Sequence, residues 1–484
     1  MTALMIQGTA SGVGKSVLVA GLCRLLARNG VSVAPFKPQN MSNNAAVTVD
    51  GGEIGRAQAL QAFACGIEPT VHMNPVLLKP EADCRSQLVV RGQVLGRLES
   101  ARFREKREQW LDMVLESFNH LQAQYDVVIV EGAGSPAEPN LRQGDIANMG
   151  FAEAADIPVW LVGDIDCGGV FASLTGTLNI FSESERARVQ ALLINRFRGY
   201  LSLLDDGLIW LEENSDKQIA GVIPWLPLQL PDEDMPFRLG GATEGSRERL
   251  NIAVVAYPCA SNLDDFDPLA DDPSVALRLV DRAEDLQPAD VVILPGSKHV
   301  ASDLSWLREQ GFVSVLKSHL RYGGRMLGIC GGMQMLGISI TDEHGVESAG
   351  SAPGLGWLDM HTCMQTQKTL KRVEAMAHWP AKVPVKGYEI HYGDHHPNTE
   401  LFPFSHCSAD AQVWGTYLHG LFASGEFRRA WLAAMGQGDG VPVDQTERVT
   451  ASLDLLADAI EKAVRPEMLA TLFNAKGASR RVAA

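Results

Sequence analysis

No run of apolar residues in this chain of 484 approaches the ~20 needed to span a bilayer, so no membrane span is expected. The opening MTALMIQG lacks a basic start followed by an apolar stretch, so no signal peptide is read there. Basic charge is scarce: Lys and Arg total 42 against 58 Asp and Glu, for a net charge of −16. That argues against a nucleic-acid partner, because phosphate contacts need basic surface. An anionic small molecule is still allowed, since a small basic pocket can sit on an acidic protein. Cysteine is not arranged for metal or disulfide chemistry. Cys23, Cys65, Cys84, Cys167, Cys259, Cys330, Cys363 and Cys407 contain no C-x-x-C pair, and no Cys/His cluster has zinc spacing. They read as reduced thiols of a cytoplasmic protein. Internal repeats and low-complexity tracts are absent.

What is present is α/β patterning, twice. The length exceeds what one core usually holds. Residues 1–230 alternate helical stretches with near-continuous Val/Ile/Leu runs at 3–8, 31–37, 125–132, 157–164, 189–196 and 219–225, as expected of parallel strands buried on both faces. Residues 231–249 are polar and rich in Gly and Pro, and read as a linker. The pattern restarts over 250–435, with strands at 250–258, 289–297 and 323–332, and 436–484 reads as a partly helical tail with a frayed end. The fold class is two domains, each a mainly parallel sheet flanked by helices.

The segment QGTASGVGKS, Gln7 to Ser16, follows a strand and opens an apolar helix. It has the form of a phosphate loop with one residue too many, since five residues separate Gly8 from Gly14. Backbone N–H groups from Thr9 through Gly12 and Gly14, with the helix N-terminus, would gather positive potential for a phosphate. Lys15 would reach the terminal phosphates, and Ser16 would hold Mg²⁺. Glu131, ending DVVIVE, lies at the same sheet edge as a metal carboxylate. Asp164 and Asp166 end another strand there, and Asn195 a third, where it could contact adenine. Each could also be a polar strand cap.

In the second half, GICGG sets Cys330 between a strand and a helix, as a thiol version of a nucleophile elbow. The N–H of Gly331 and one near Gly296 or Ser297 would form an oxyanion hole. His419 in WGTYLHGLF is the candidate base. A base is needed: a helix end is worth ~0.3–2 kcal/mol, and one pKa unit costs about 1.4 kcal/mol. The dipole alone therefore leaves a thiol of pKa about 8.5 mostly protonated at neutral pH.

The longer loop, VEGAG and INR resemble the dethiobiotin synthetase group of P-loop enzymes, which phosphorylate carboxylates or carbamates. The second half resembles class I glutamine amidotransferase domains. FKPQNMSNNA (36–45), the 140–174 segment and the thiol half together resemble the cobyric acid synthase family of corrin biosynthesis over residues 3 to 435. That resemblance implies ATP- and glutamine-dependent amidation of carboxylates b, d, e and g of adenosylcobyrinic acid a,c-diamide through acyl phosphates. It implies Mg²⁺ with ATP, no tightly bound organic cofactor, and some route for ammonia between sites. Asp145 in GDIANM and Asp164 are candidates near the acceptor or metal, although Asp145 could cap a helix. Most class I domains continue His-x-Glu; here His419 is followed by Gly420 and Leu421. The expectation is therefore a Cys–His dyad, with nothing assigned to orient the imidazole. Glu389 and His391 in GYEIHYGD line a glutamine pocket or merely alternate on a strand. Cobyrinic acid a,c-diamide synthase, CTP synthase and a ParA-like ATP switch with an inert second domain are the rival readings. Self-association is compatible with the sequence, which does not decide it.

Overall fold

A computed structural model describes residues 3–80, 85–99, 107–231, 249–347, 349–394, 399, 401, 403–437 and 442–474. The chain divides into two compact units. One comprises Met1–Leu230 with Val449–Ala484, the other Pro231–Arg448. Most of the polar linker expected at 231–249, and the expected frayed end, lie outside the described residues.

The first unit is built on six strands: β1 (Ala3–Gly8), β2 (Val33–Phe36), β3 (Val127–Glu131), β4 (Val159–Asp164), β5 (Val189–Phe197) and β6 (Gln218–Pro224). They lie in the order β6-β5-β4-β1-β3-β2, and all pairs are parallel. Parallel strands need covered faces, and each of β1 to β4 is buried along its whole length. The register sets Ile6 beside Glu131 and Asp164 beside Asn195, so these residues gather where the strands end. Around the sheet lie α1 (Lys15–Arg28), α2 (Arg56–Cys65) and α3 (Met149–Ala154). The sequence reading missed an antiparallel run, Val76–Pro80, Arg85–Val90 and Gln93–Glu99.

The second unit has β7 (Leu250–Val255), β8 (Val275–Val280), β9 (Val291–Leu294), β10 (Arg325–Ile329), β11 (Ser405–Cys407) and β12 (Val413–Thr416). Their order is β8-β7-β9-β10-β12-β11, antiparallel only at the β11–β12 edge. Helix α4 (Val300–Glu309) follows β9, and α5 (Gly331–Leu336) follows β10. A long hairpin, His361–Ala377 with Val383–Asp394, carries Glu389 and His391.

The tail returns to the first unit as α6 (Gln445–Ala463) and α7 (Pro466–Phe473). Val449, Leu453, Leu456 and Ile460 form one stripe buried with Leu18, Leu22 and Leu25 of α1. Each buried Leu or Ile is worth ~1.5–3 kcal/mol. The half-exposed pairs of Arg24 and Arg28 with Asp454 are worth ~0–1 kcal/mol each, so burial holds the tail. Among the described residues no helix is long and apolar enough to cross a membrane.

Candidate active sites

Val13 shows how the longer phosphate loop is accommodated. Its side chain is buried and folds over Gly8, where a Cβ would lie 2.4 Å from Val13 Cγ2. Asn195 Nδ2 donates to the Val13 carbonyl at 2.8 Å. Gly14 then enters α1 with φ of 94°, and a Cβ there would meet Asn195 Nδ2 at 2.3 Å. Conformation and space both require glycine. Asn195, read as an adenine contact, is thus found clasping the loop. Thr9 N–H donates to Val162 O at 2.9 Å, and Ser135 Oγ to Thr9 O at 3.0 Å. Lys15 Nζ donates to Ala10 O at 3.0 Å and to Gly134 O at 2.8 Å, spanning the loop and the segment after β3.

Glu131 is the buried centre of this edge. Its Oε1 accepts from Ser16 Oγ at 2.7 Å and from Lys37 Nζ at 2.8 Å, and Oε2 accepts from Gln61 Nε2 at 2.6 Å. Burial pushes this carboxyl up, but Lys37, Ser16 and Gln61 outweigh it and hold it below its ordinary value. Removing Lys37 alone would leave a buried charge unpaired, a loss of ~3–5 kcal/mol. Lys37 and Gln61 were not singled out from sequence; only the FKPQN motif hinted at the lysine. Ser16 Oγ and Glu131 Oε1 are hard oxygen donors side by side, which suits Mg²⁺. Among the described residues no three or more His, Cys, Asp or Glu cluster for a metal, so a cation here would draw other ligands from phosphate and water.

Asp145 is found holding backbone, and Asp164 a backbone N–H and a guanidinium. Asp145 accepts from the N–H groups of Ala147 and Asn148 at 2.8 Å and of Gly150 at 3.0 Å, shaping the start of α3. Asp164 accepts from Asp166 N at 2.9 Å and Arg196 Nη1 at 2.8 Å.

In the second unit, Cys330 joins β10 to α5 at φ 53° and ψ −110°, strained for a residue with a side chain. Its N–H donates to Thr416 O on β12 at 2.8 Å. A Cβ on Gly332 would lie 2.0 Å from Leu294 O, so the elbow packs backbone against β9. Just past β12, His419 pairs through its backbone with Tyr388 and stacks on that ring at 5.2 Å.

The expectation of a dyad is corrected here. His419 Nδ1–H donates to Asp265 Oδ2 at 2.6 Å, and Gly420 N–H donates to Asp265 Oδ1 at 2.8 Å. The carboxylate comes from a short turn, Leu263–Phe266, 154 residues upstream of the histidine. Asn262, just before it, donates to Tyr388 Oη at 2.7 Å, so the ring under the imidazole is fixed too. His419 Nε2 is buried without a hydrogen bond of normal geometry. Burial alone would lower this imidazole. Asp265 overrides it, Cys330 adds to the effect, and the group is raised to about 10. The thiol therefore faces an imidazolium across the neutral range.

Strand register also separates the two candidate oxyanion donors. Gly296–Ser297 pairs antiparallel with Ala260–Ser261, and Lys298 N–H donates to Cys259 O at 2.9 Å. Hydrogen-bonded pairs alternate along such a ladder. Gly296 thus falls in the bonded pair with Ser261, and the Ser297 N–H turns away from that partner. A Cβ on Gly331 would lie 2.8 Å from Ser297 N, whereas one on Gly296 would lie 3.4 Å from His419 Cε1. Of the two positions the sequence left open, Gly296 and Ser297, it is the Ser297 N–H that lies beside Gly331. Glu389 and His391 bind each other at 3.2 Å, and His391 stacks on Tyr417.

Both halves of the chain match known families. Residues 4–237 match the CobQ/CobB/MinD/ParA nucleotide binding domain, and 251–427 the CobB/CobQ-like glutamine amidotransferase domain. A cobyric acid synthase of Halorhodospira halophila is 58% identical over 97% of this chain and 97% of its own length. The chain belongs to the cobyric acid synthase family. A second member, from Rhodobacter capsulatus, is 50% identical over 95% of this chain and 97% of its own. The family reaction is a glutamine-dependent amidation, and identity of this level over nearly the whole chain sets the CTP synthase and ParA-like readings aside. Asp265→Asn removes the charge that holds the imidazolium, so iodoacetamide is expected to alkylate Cys330 tenfold or more slowly at pH 7 in that variant. Equal labelling rates for the two proteins would remove Asp265 from the account.

Proposed function

We propose that the chain converts carboxylates b, d, e and g of adenosylcobyrinic acid a,c-diamide to amides, using ATP, Mg²⁺ and glutamine, in the cytoplasm. The observation that carries the glutamine half is the buried Nε2 of His419, its other nitrogen held by Asp265, beside the strained Cys330. The thiolate attacks the glutamine carboxamide carbon, and Gly331 and Ser297 N–H groups receive the oxyanion. The imidazolium gives its proton to the departing nitrogen, ammonia leaves, and water then hydrolyses the glutamyl thioester with His419 as base.

At the phosphate loop, a corrin carboxylate oxygen attacks the γ-phosphorus of ATP, ADP leaves, and ammonia displaces phosphate from the acyl phosphate. Lys15 and the loop N–H groups balance the phosphate charge. Mg²⁺ held by Ser16 and Glu131 would neutralise phosphate oxygens. Support for an acyl phosphate is the likeness to the family together with the phosphate loop. Corrin acid labelled with ¹⁸O in its carboxylates should pass one ¹⁸O to inorganic phosphate for each amide formed. Unlabelled phosphate alongside amide product would rule the acyl phosphate out.

A further inference from the structure

Gly331 sits on the elbow itself, but Ser297 belongs to a two-residue strand paired with only Ala260–Ser261. A ribbon this short is marginal by itself. Something must fix its distance from Cys330 to a fraction of an ångström, because an oxyanion donor works only when preorganised.

Asp303 has the geometry for this. It lies in α4, is wholly buried, and donates its own N–H to His299 O at 3.1 Å. Its Oδ2 accepts from Ser297 Oγ at 2.6 Å, and its Oδ1 from Cys259 N–H at 3.1 Å. One carboxylate thus ties both sides of the ribbon to a helix. Ser297 Oγ also accepts from His299 N–H at 3.0 Å, closing the loop onto the start of α4. Charge-assisted bonds of this kind are shorter and stiffer than neutral ones. Burial pushes the carboxyl up to about 6 against the pull of Ser297 and Cys259, so it is mainly ionised at pH 7.5 and accepts from both.

We propose that Asp303 is a positioning residue for glutamine hydrolysis, holding the Ser297 N–H against Gly331 through the Ser297 hydroxyl. This rests on the reading of Cys330 as the glutaminase nucleophile. Asp303 acts through the loop and not on the thiol, which separates its effects from those of His419 and Asp265.

The test compares Ser297→Ala, Asp303→Ala and Asp303→Asn with the wild type. Removing an oxyanion donor outright costs ~10²–10³ in kcat, so letting one drift should cost ~10- to 100-fold in kcat for glutamine hydrolysis. KM should move little. Labelling of Cys330 by iodoacetamide should keep its wild-type rate and pH dependence, because alkylation forms no oxyanion. Glutamate γ-semialdehyde adds the thiol across its C=O and places an oxyanion at the same point, so its inhibition constant should rise in step with the fall in kcat. Asp303→Asn should recover part of the loss, since its amide oxygen still accepts from Cys259. If Asp303→Ala fails to fold, Ser297→Ala, which deletes one oxygen, carries the test. Wild-type kcat in Ser297→Ala overturns the proposal, as does labelling that falls together with kcat, which would mean the elbow itself had collapsed. Failure of the glutaminase reading would look different: Cys330→Ala would then hydrolyse glutamine like the wild type.

Discussion

Cys330→Ala is expected to abolish amidation from glutamine and to leave amidation from free ammonia close to the wild-type rate. The sulfur is the sole atom at the elbow able to form the glutamyl thioester. In the proposed mechanism His419 carries protons, Asp265 orients it, and the Ser297 and Gly331 N–H groups receive the oxyanion, but none of them can form the covalent bond. Without the sulfur the hole and base remain, but no covalent step can begin. Alanine fits the site, since it removes a small buried thiol and keeps the Cβ at φ 53°. Ammonia at high concentration bypasses this chemistry and attacks the acyl phosphate directly. The measurement is amide product formed with each nitrogen source, at saturating ATP and corrin acid. If ammonia cannot rescue a well-folded Cys330→Ala protein, the two chemistries are not divided as described.

Lys15→Ala should lower amidation by ~10²–10³ or more with either nitrogen source, since one preorganised cation on a transferring phosphoryl group is worth at least that. The side chain also bonds Ala10 O and Gly134 O, so its loss loosens the loop as well as removing charge. Glutamine hydrolysis should continue at a measurable rate. ADP release and glutamate release, followed in the same samples, separate the two effects. Full amidation by Lys15→Ala would remove the phosphate loop from the reaction.

Much of this was readable beforehand where local pattern decides structure. Parallel strands buried on both faces appear as near-continuous Val/Ile/Leu runs, so β1, β3, β4 and β5 were found within two residues of their ends. The loop and elbow were legible because each packs glycines, a strand end and a helix start into a few residues. The segments missed were those whose own residues carry no clear apolar period, although their partners are sequence neighbours. Arg85–Val90 and Gln93–Glu99 are short and mixed in polarity, and pairing alone makes them strands. The α6 stripe looks amphipathic, but nothing local says that it closes over α1.

Asp265 is the instructive miss. In NLDDFDP it reads as one acidic loop residue among several, and only folding selects it. The sequence reading looked for a carboxylate after His419 because most class I domains place it there. In this chain the same physical need, a negative acceptor for Nδ1–H, is met from the turn after β7. Gly420 is likewise more than packing, because its N–H holds the other Asp265 oxygen. The choice between Gly296 and Ser297 stayed open for a similar reason: adjacent N–H groups point opposite ways, and the sequence carries no register.

The central claim is that one chain moves the amide nitrogen of glutamine onto a corrin carboxylate at the expense of ATP. The direct measurement is the mass of the corrin product formed by the wild-type protein with ATP, Mg²⁺, adenosylcobyrinic acid a,c-diamide and [amide-¹⁵N]glutamine. The account predicts products bearing up to four added amides, every one carrying ¹⁵N, with one ADP released for each. Corrin acid recovered unchanged while ATP and glutamine are both consumed, or amides formed without ¹⁵N, would contradict it.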